Sequence, residues 1–371
     1  MERSYYLNLA QSGLRMPIGV DLVLQEQPDP EAILRDGARL GLVLAEAARR
    51  FGTPLAFPHM DLELEKAALL AMIGVPPQQV PKFHFDGCPS AEVRAAVAAH
   101  LDDPLDARLQ AQVDAIAYVA RCTDLVPVGM AIGPFSLMTK LIADPITPVF
   151  LAGSGLSAAE DEEIRALEIT LELATQVILR SLAAQCAAGA RALFIAEPAA
   201  NVVYLSPKQI AAGADIFERY VMQPNRRIRA FLAERDCDLL FHCCGELTDA
   251  MVASFASLDP AILSLGSSRR LWEDAALVPK QTVLYGNLPS KKFYSDSLIS
   301  AAEVAMQAHE LTERMRAVGH PFILGTECDV LSVPGCEAAI WKKIAVLLEE
   351  PEAGIVEHAR PSLPAEMPVA D

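Results

Sequence analysis

Eight short apolar or β-branched runs recur along the chain, at residues 54–61, 80–85, 126–133, 192–197, 239–245, 262–266, 282–287 and 322–327. Between most of them lie amphipathic helical stretches, at residues 62–73, 90–120, 160–188, 207–235, 301–318 and 336–348. This alternation constrains the fold more than any other feature. Strands separated by helices must pair in parallel through right-handed crossovers. Eight such repeats predict closure into an α/β (β/α)8 TIM barrel, with an open doubly wound sheet as the alternative. No glycine fingerprint for dinucleotides or phosphates follows any run, so a Rossmann reading has no support.

One barrel accounts for residues 31–350. Residues 1–30 are mixed and punctuated by proline, which predicts an N-terminal arm of irregular chain or short helices. Asp29-Pro30-Glu31 then opens an Ala/Leu-rich helix to about Phe51: Asp29 can cap it, Pro30 suits its first turn and Glu31 complements its dipole. The proline-rich residues 351–371 are expected to form a loose tail.

Lys and Arg number 31 against 48 Asp and Glu, so 31 − 48 gives a net charge of −17, which excludes nucleic acid and an anionic membrane surface as main partners. The start lacks the basic and continuously apolar stretch of a signal peptide, and no run of about 18 uncharged apolar residues occurs. A cytoplasmic protein is expected. Eight cysteines, adjacent only at 243 and 244, are too sparse for a disulfide scaffold and are read as free thiols or ligands.

In barrels of this kind the chemistry sits at the C-terminal ends of the strands. The strand ends here carry Asp61, His84, Glu197, His242, Cys244, Ser267, Asn287 and Cys328. Within Leu240-Phe241-His242-Cys243-Cys244-Gly245, His242 and Cys244 share one face of a strand and Cys243 takes the other. Imidazole and thiolate on one face are half of a zinc site, and Cys328, in the similar context Phe322-Ile323-Leu324-Gly325-Thr326-Glu327-Cys328, is the candidate for the rest. Glu246, Glu327, Asp329, Glu197 or water are options for a fourth ligand. His59 and His84 are expected to be structural, Cys243 to pack outward, and Cys336 to start a helix. Cys88, Cys122, Cys186 and Cys237, without a neighbouring His or Cys, are read as structural.

Taken in order, these segments resemble the uroporphyrinogen decarboxylase superfamily, and within it the zinc-dependent methylcobamide:thiol (coenzyme M-type) methyltransferases. The matching pieces are Pro58-His59-Met60-Asp61, Val128 to Leu137 with its Gly133-Pro134-Phe135-Ser136-Leu137, Glu197-Pro198-Ala199-Ala200, His242-Cys243-Cys244-Gly245, Tyr285-Gly286-Asn287-Leu288-Pro289 and Gly325-Thr326-Glu327-Cys328. The His-x-Cys-Gly segment with a late Cys is the specific part. The resemblance implies zinc held by His242, Cys244 and Cys328; among the strand-end residues, Asp61, Glu197 and Asn287 are the candidates for catalysis, and Asn287 and Ser267 for binding cofactor. It also implies a methylcobalamin-type corrinoid as co-substrate, delivered by a small corrinoid protein, with a thiol or tetrahydrofolate as methyl acceptor.

A His and two thiolates leave Zn2+ formally neutral with a position open, and an incoming thiol would be deprotonated on such a metal. Soft sulfur ligands favour alkyl transfer over hydrolysis. Two other readings are a cofactor-free decarboxylase that uses Asp61, and a non-catalytic corrinoid-binding protein. The decarboxylases begin with an Arg-Gln-Ala-Gly-Arg-Tyr segment whose arginines grip substrate carboxylates, and here only Arg15 stands in that region.

Overall fold

The computed structural model describes residues 1–349. Eight strands, β1 (Arg15–Met16), β2 (Leu55–Ala56), β3 (Val126–Ile132), β4 (Ala192–Ala196), β5 (Asp238–Cys243), β6 (Ile262–Leu265), β7 (Val283–Leu288) and β8 (Phe322–Thr326), lie side by side in the order β1-β8-β7-β6-β5-β4-β3-β2. All the ladders are parallel. The two edges of this curled sheet, β1 and β2, meet through a side chain: the Thr53 hydroxyl donates to Met16 Sδ at 3.0 Å. All eight strands send residues into one apolar interior, including Met16, Leu55, Met130, Phe194, Leu240, Ile262, Tyr285 and Ile323. The fold is thus the expected (β/α)8 barrel.

Side-chain alternation does the sorting. Along β5, Leu240 points inward, while Leu239, Phe241 and Cys243 pack against the outer helices. Cys243 is fully buried there and its thiol donates to the Ala200 carbonyl. The outer layer is apolar on its inner side because every helix must bury one stripe against the strands. Helix Ala301–Val318 falls on its predicted span: Ser300 and Glu303 form a reciprocal capping box, and Gly319, at φ +60°, closes it.

Several boundaries differ from the sequence reading. Residues 80–85 do not form a strand. Pro81, with no N–H to give a ladder, sits in a short 3-10 turn over Val80–Lys82, and only Phe85 makes a single bridge, to Ile142. The missing strand comes from the proposed arm. Arg15 and Met16 pair with Leu324 and Gly325, so the barrel begins inside residues 1–30. Two residues are too few for periodicity to reveal. Much of the rest of that segment lies in two short helices, Arg3–Gln11 and Val20–Gln25, and Tyr6, fully buried in the barrel interior, donates its hydroxyl to Asp238 at 2.9 Å. The long helix expected from Asp29 is two: Pro30–Ile33 is capped by Asp29, and Asp36 starts Gly37–Arg50 afresh by accepting from the Arg39 N–H. Residues 90–120 divide likewise around Pro104 into Ala91–His100 and Ala107–Cys122, the second capped by Asp106. The tail assigned to 351–371 lies outside the described residues.

No helix among the described residues is long and apolar enough to cross a membrane. None of the eight cysteines is in a disulfide.

One buried acid outside the barrel has a measurable signature. Glu65, in helix Leu64–Met72, is 1 % exposed, and its one side-chain partner is the Ser181 hydroxyl at 2.9 Å. Burial pushes its carboxyl from 4.5 up to about 7. The folded state therefore holds a proton that the unfolded state releases above 4.5, and stability falls as pH rises from there to about 7. Glu65→Gln removes that fall. In urea unfolding it should match the wild type near pH 4 and exceed it by about 2–3 kcal/mol at pH 8; an identical gap at both pH values would refute the assignment.

Candidate metal centre and barrel mouth

His242 is the last inward residue of β5, and its ring stacks on Phe194 with centroids 5.4 Å apart and planes at 26°. Directly across the β5–β6 ladder stands Ser264, whose Oγ lies 2.8 Å from His242 Nδ1. When Nδ1 carries the proton and donates to Ser264, the Nε2 lone pair is free. Nε2 is buried and has no hydrogen-bond partner. An orphaned imidazole nitrogen costs free energy unless something binds it.

Cys244 and Cys328 lie just past the ends of β5 and β8, and the ligand atoms of His242, Cys244 and Cys328 all fall within 4.8 Å of one another. Tetrahedral zinc with these donors sets their separations at roughly 3.3–3.8 Å, so small side-chain adjustments suffice to fit it. The thiols behave as one unit. The neighbouring Cys328 thiol draws the Cys244 thiol well below its ordinary range against the cost of burial, helped by His242 and by the charge of Lys291. Cys328 moves up, through the same contact, its burial and the Cys244 charge beside it. A soft cation binding such a pair displaces thiol protons. Burial works against the Lys291 ammonium, but the charges of Cys244, Cys328 and Glu327 outweigh it and raise its pKa.

The loop that carries Cys328 is fixed from two sides. Ser267 donates from both its N–H and its hydroxyl to Glu327 Oε2, at 3.1 and 2.7 Å, and the Ser290 hydroxyl donates to the Cys328 carbonyl at 3.1 Å. Asn287 gives both amide hydrogens to the loop after β6, to the Gly266 and Arg269 carbonyls at 2.7 and 2.9 Å. Ser267 and Asn287 also line a cleft of about 350 Å³ beside the mouth, together with Arg269, Arg270 and Lys292. They hold the scaffold of the centre and face this cleft.

Glu197 stands apart. By alternation it points outward from β4, and its carboxylate accepts from the N–H groups of Phe135 and Ser136, the Ser136 hydroxyl and the Asn225 amide, at 3.1, 2.9, 2.7 and 2.9 Å. It clamps β4 to the helix after β3, and Gly133 is required there because a Cβ would lie 2.1 Å from the Glu197 carboxyl carbon. Neither a catalytic nor a ligand role remains for it. Asp61 does reach the mouth, where it is paired with Arg108 at 2.8 Å and accepts from the Glu63 N–H. His84 is exposed at the surface beside no strand end. His59 is half-buried against Asp21, as a structural histidine would be. Cys336 stands at the start of helix Glu337–Leu348, where its side chain makes no capping hydrogen bond.

None of Glu246, Glu327, Asp329 or Glu197 brings an oxygen into the three-donor cluster. Three protein donors leave the fourth position of a zinc ion to an exogenous ligand, the pattern of catalytic sites. Sequence reasoning missed Ser264, Lys291 and Arg108. Ser264 alone had a signal, a hydroxyl inside the apolar run Ile262-Leu263-Ser264-Leu265. A larger cavity, about 550 Å³, lies at the other end of the barrel between the starts of β1 and β8, lined by Leu14, Arg15, Phe322 and Leu324. Of its lining residues only His320 is a metal donor, and no second one joins it, so the candidate chemistry lies at the mouth.

The fold and these donors define an α/β barrel with a thiolate-rich candidate metal centre at the C-terminal ends of its strands. The chain belongs to the uroporphyrinogen decarboxylase (URO-D) family, whose model matches residues 41–337. Among solved structures it is similar to a methyltransferase from Methanosarcina mazei, with a TM-score of 0.62, 16% sequence identity, and coverage of 93% of this chain and 98% of that one. No curated protein matches it.

Proposed function

We propose that the protein is a zinc-dependent methyltransferase that moves a methyl group from a methylcorrinoid, carried by a small corrinoid protein, to a thiol or tetrahydrofolate acceptor. The observation that carries this reading is the His242, Cys244 and Cys328 donor set, with a buried imidazole nitrogen that no protein group satisfies. The methyltransferase with a similar fold supports it. Free cysteines suit a reducing, cytoplasmic setting.

Bound there, zinc would lower the pKa of an acceptor thiol and hold it as a nucleophile at neutral pH. The chain's own residues prepare this. Ser264 holds the His242 ring in place, the two cysteines bring negative charge to the metal, and Lys291 offsets that charge from the rim. With a thiol acceptor, a sulfur–carbon bond would form as the cobalt–carbon bond broke, leaving its electron pair on the corrinoid; with tetrahydrofolate the new bond would be nitrogen–carbon and the N–H proton would pass to solvent.

Decarboxylation through Asp61 is less favoured on two counts. Asp61 is already paired with Arg108, and Arg15 lies at the opposite end of the barrel, donating to the Leu347 and Glu349 carbonyls. Metal analysis coupled to a methylcobalamin demethylation assay, run against thiols and tetrahydrofolate, tests the proposal. We expect about one zinc per chain and acceptor-dependent loss of methylcobalamin; a zinc-free protein that decarboxylates through Asp61 would replace this reading with the decarboxylase one.

A further inference from the structure

Cys186 and Cys237 are isolated in the sequence, 237 − 186 = 51 positions apart, and the fold brings them together. Cys186 lies in the last turn of helix Glu162–Ala187, which leads into β4, and Cys237 immediately precedes β5. The β4–β5 register sets Ala192 opposite Asp238, and the Asp238 N–H donates to the Arg191 carbonyl at 3.0 Å. Between the helix and β4 the chain turns tightly, with the Gly189 and Ala190 N–H groups bonded back to the Cys186 and Gln185 carbonyls at 3.0 and 3.1 Å. The Cys237 thiol donates to the Ala190 carbonyl at 3.2 Å, and the Cys186 and Cys237 thiols lie within hydrogen-bonding contact of each other.

This pair sits at the opposite end of β5 from Cys244, and the metal centre does not use it. Among the described residues no third His, Cys or carboxylate converges on the two thiols, so they lack the ligand count of a zinc site. Two thiols in contact have a disulfide open to them. Both pack against the outer apolar layer, but unequally: Cys237 is 5 % exposed and Cys186 is half-buried. The neighbouring Cys186 thiol lowers the Cys237 thiol against the cost of burial, with Arg191 and the N-terminal ammonium helping and Asp238 opposing. Cys186 moves up, through the same contact, its burial and the Cys237 charge. Thiolate, not thiol, attacks an oxidant, which makes Cys237 the nucleophile and Cys186 the thiol that resolves the product. A sulfur as covered as that of Cys237 admits only a small oxidant.

We infer that Cys186 and Cys237 are a reversible redox clasp at the base of the barrel, in which a small peroxide closes a disulfide between the helix before β4 and the start of β5. Cys237 takes one peroxide oxygen as the O–O bond breaks, and the other oxygen leaves as hydroxide, which the displaced thiol proton converts to water. Cys186 then attacks the sulfenic sulfur, the S–S bond forms, and a second water leaves with the Cys186 proton. Two thiols are oxidised and one peroxide is reduced, so that dithiol and hydrogen peroxide give disulfide and two waters. The closed link ties the ends of the segment that holds β4 and the helices up to β5, and so restricts the unfolded chain. The clasp does not depend on the methyltransferase reading, because the metal donors lie at the other end of the strands.

The test treats the whole chain, incubated with zinc, with hydrogen peroxide and follows free thiols after denaturation, zinc content and intact mass. The wild type should lose two thiols and two hydrogens of mass, show no change in zinc content, and regain both thiols with dithiothreitol. Peptide mapping of that oxidised wild type should recover the Cys186–Cys237 cross-link, and its urea midpoint should lie above that of the reduced protein. Cys186→Ser and Cys237→Ser should each abolish the reversible loss of two thiols. A pair loss that persists in both variants, with zinc released, places the oxidation at Cys244 and Cys328 and overturns the clasp. A wild type from which peroxide removes no thiol pair, or whose mapped cross-link joins other cysteines, overturns it too.

Discussion

Cys244→Ala should strip the protein of zinc and of methylcobalamin demethylation together, whereas Cys243→Ala, one residue away, should keep both. The contrast follows from strand alternation alone. Cys244 sits with His242 and Cys328 in a cluster of ligand atoms within 4.8 Å, while the Cys243 thiol is buried against the outer helices and bonded to the Ala200 carbonyl. Loss of one of three protein ligands should drop zinc content from about one to below about 0.1 per chain and activity below about 1% of wild type. Cys243→Ala should cost only packing, about 1 kcal/mol in urea unfolding. Ser264→Ala lies between: the imidazole loses the partner that fixes its tautomer, and zinc affinity should fall about 10–100-fold with the ligands unchanged. Zinc and turnover both surviving in Cys244→Ala would remove the basis of the proposed function.

The parts of this molecule legible in the sequence are those governed by local periodicity. Period-two alternation put His242 and Cys244 on one face and Cys243 on the other, and strand–helix alternation gave the barrel that brings β5 and β8 to one mouth. What stayed hidden depends on register between distant strands. Ser264 is a partner of His242 only because β5 and β6 pair with those residues opposite, and Lys291 reaches Cys244 only through the turn after β7. Glu197 shows the opposite error. A carboxylate at a strand end reads as chemistry, but its direction, one step past inward Ala196, turns it toward the helix layer. Length explains the first strand: Arg15–Met16 carries too little pattern, while residues 80–85 carry the pattern but, with Pro81 in a 3-10 turn, make only the bridge from Phe85 to Ile142.

Replacing Glu197 should damage stability and spare the chemistry. Its two oxygens collect four donors in a fully buried space, and two of those donors are the first free N–H groups of the helix Pro134–Thr139. Burial raises its pKa, and the hydrogen bonds from Ser136, Asn225 and the backbone oppose that rise without cancelling it. Glu197→Ala leaves all four donors buried and unsatisfied beside a cavity, for a loss of about 3–5 kcal/mol. Glu197→Gln is the milder change. Each oxygen accepts from one backbone N–H that cannot turn round, Phe135 at one and Ser136 at the other, so either orientation of the new amide sets its NH2 group against a fixed donor, and about 2 kcal/mol should be lost. In both variants the protein that folds should bind zinc normally and demethylate methylcobalamin at the wild-type rate, because the clamp lies outside the barrel and His242, Cys244 and Cys328 are held by Ser264, Ser267 and Ser290. Urea unfolding read alongside zinc content and turnover per folded molecule separates the two roles. A Glu197→Gln protein as stable as wild type but slow in turnover would return this residue to the active site and show that the strand end past Ala196 faces the mouth during the reaction.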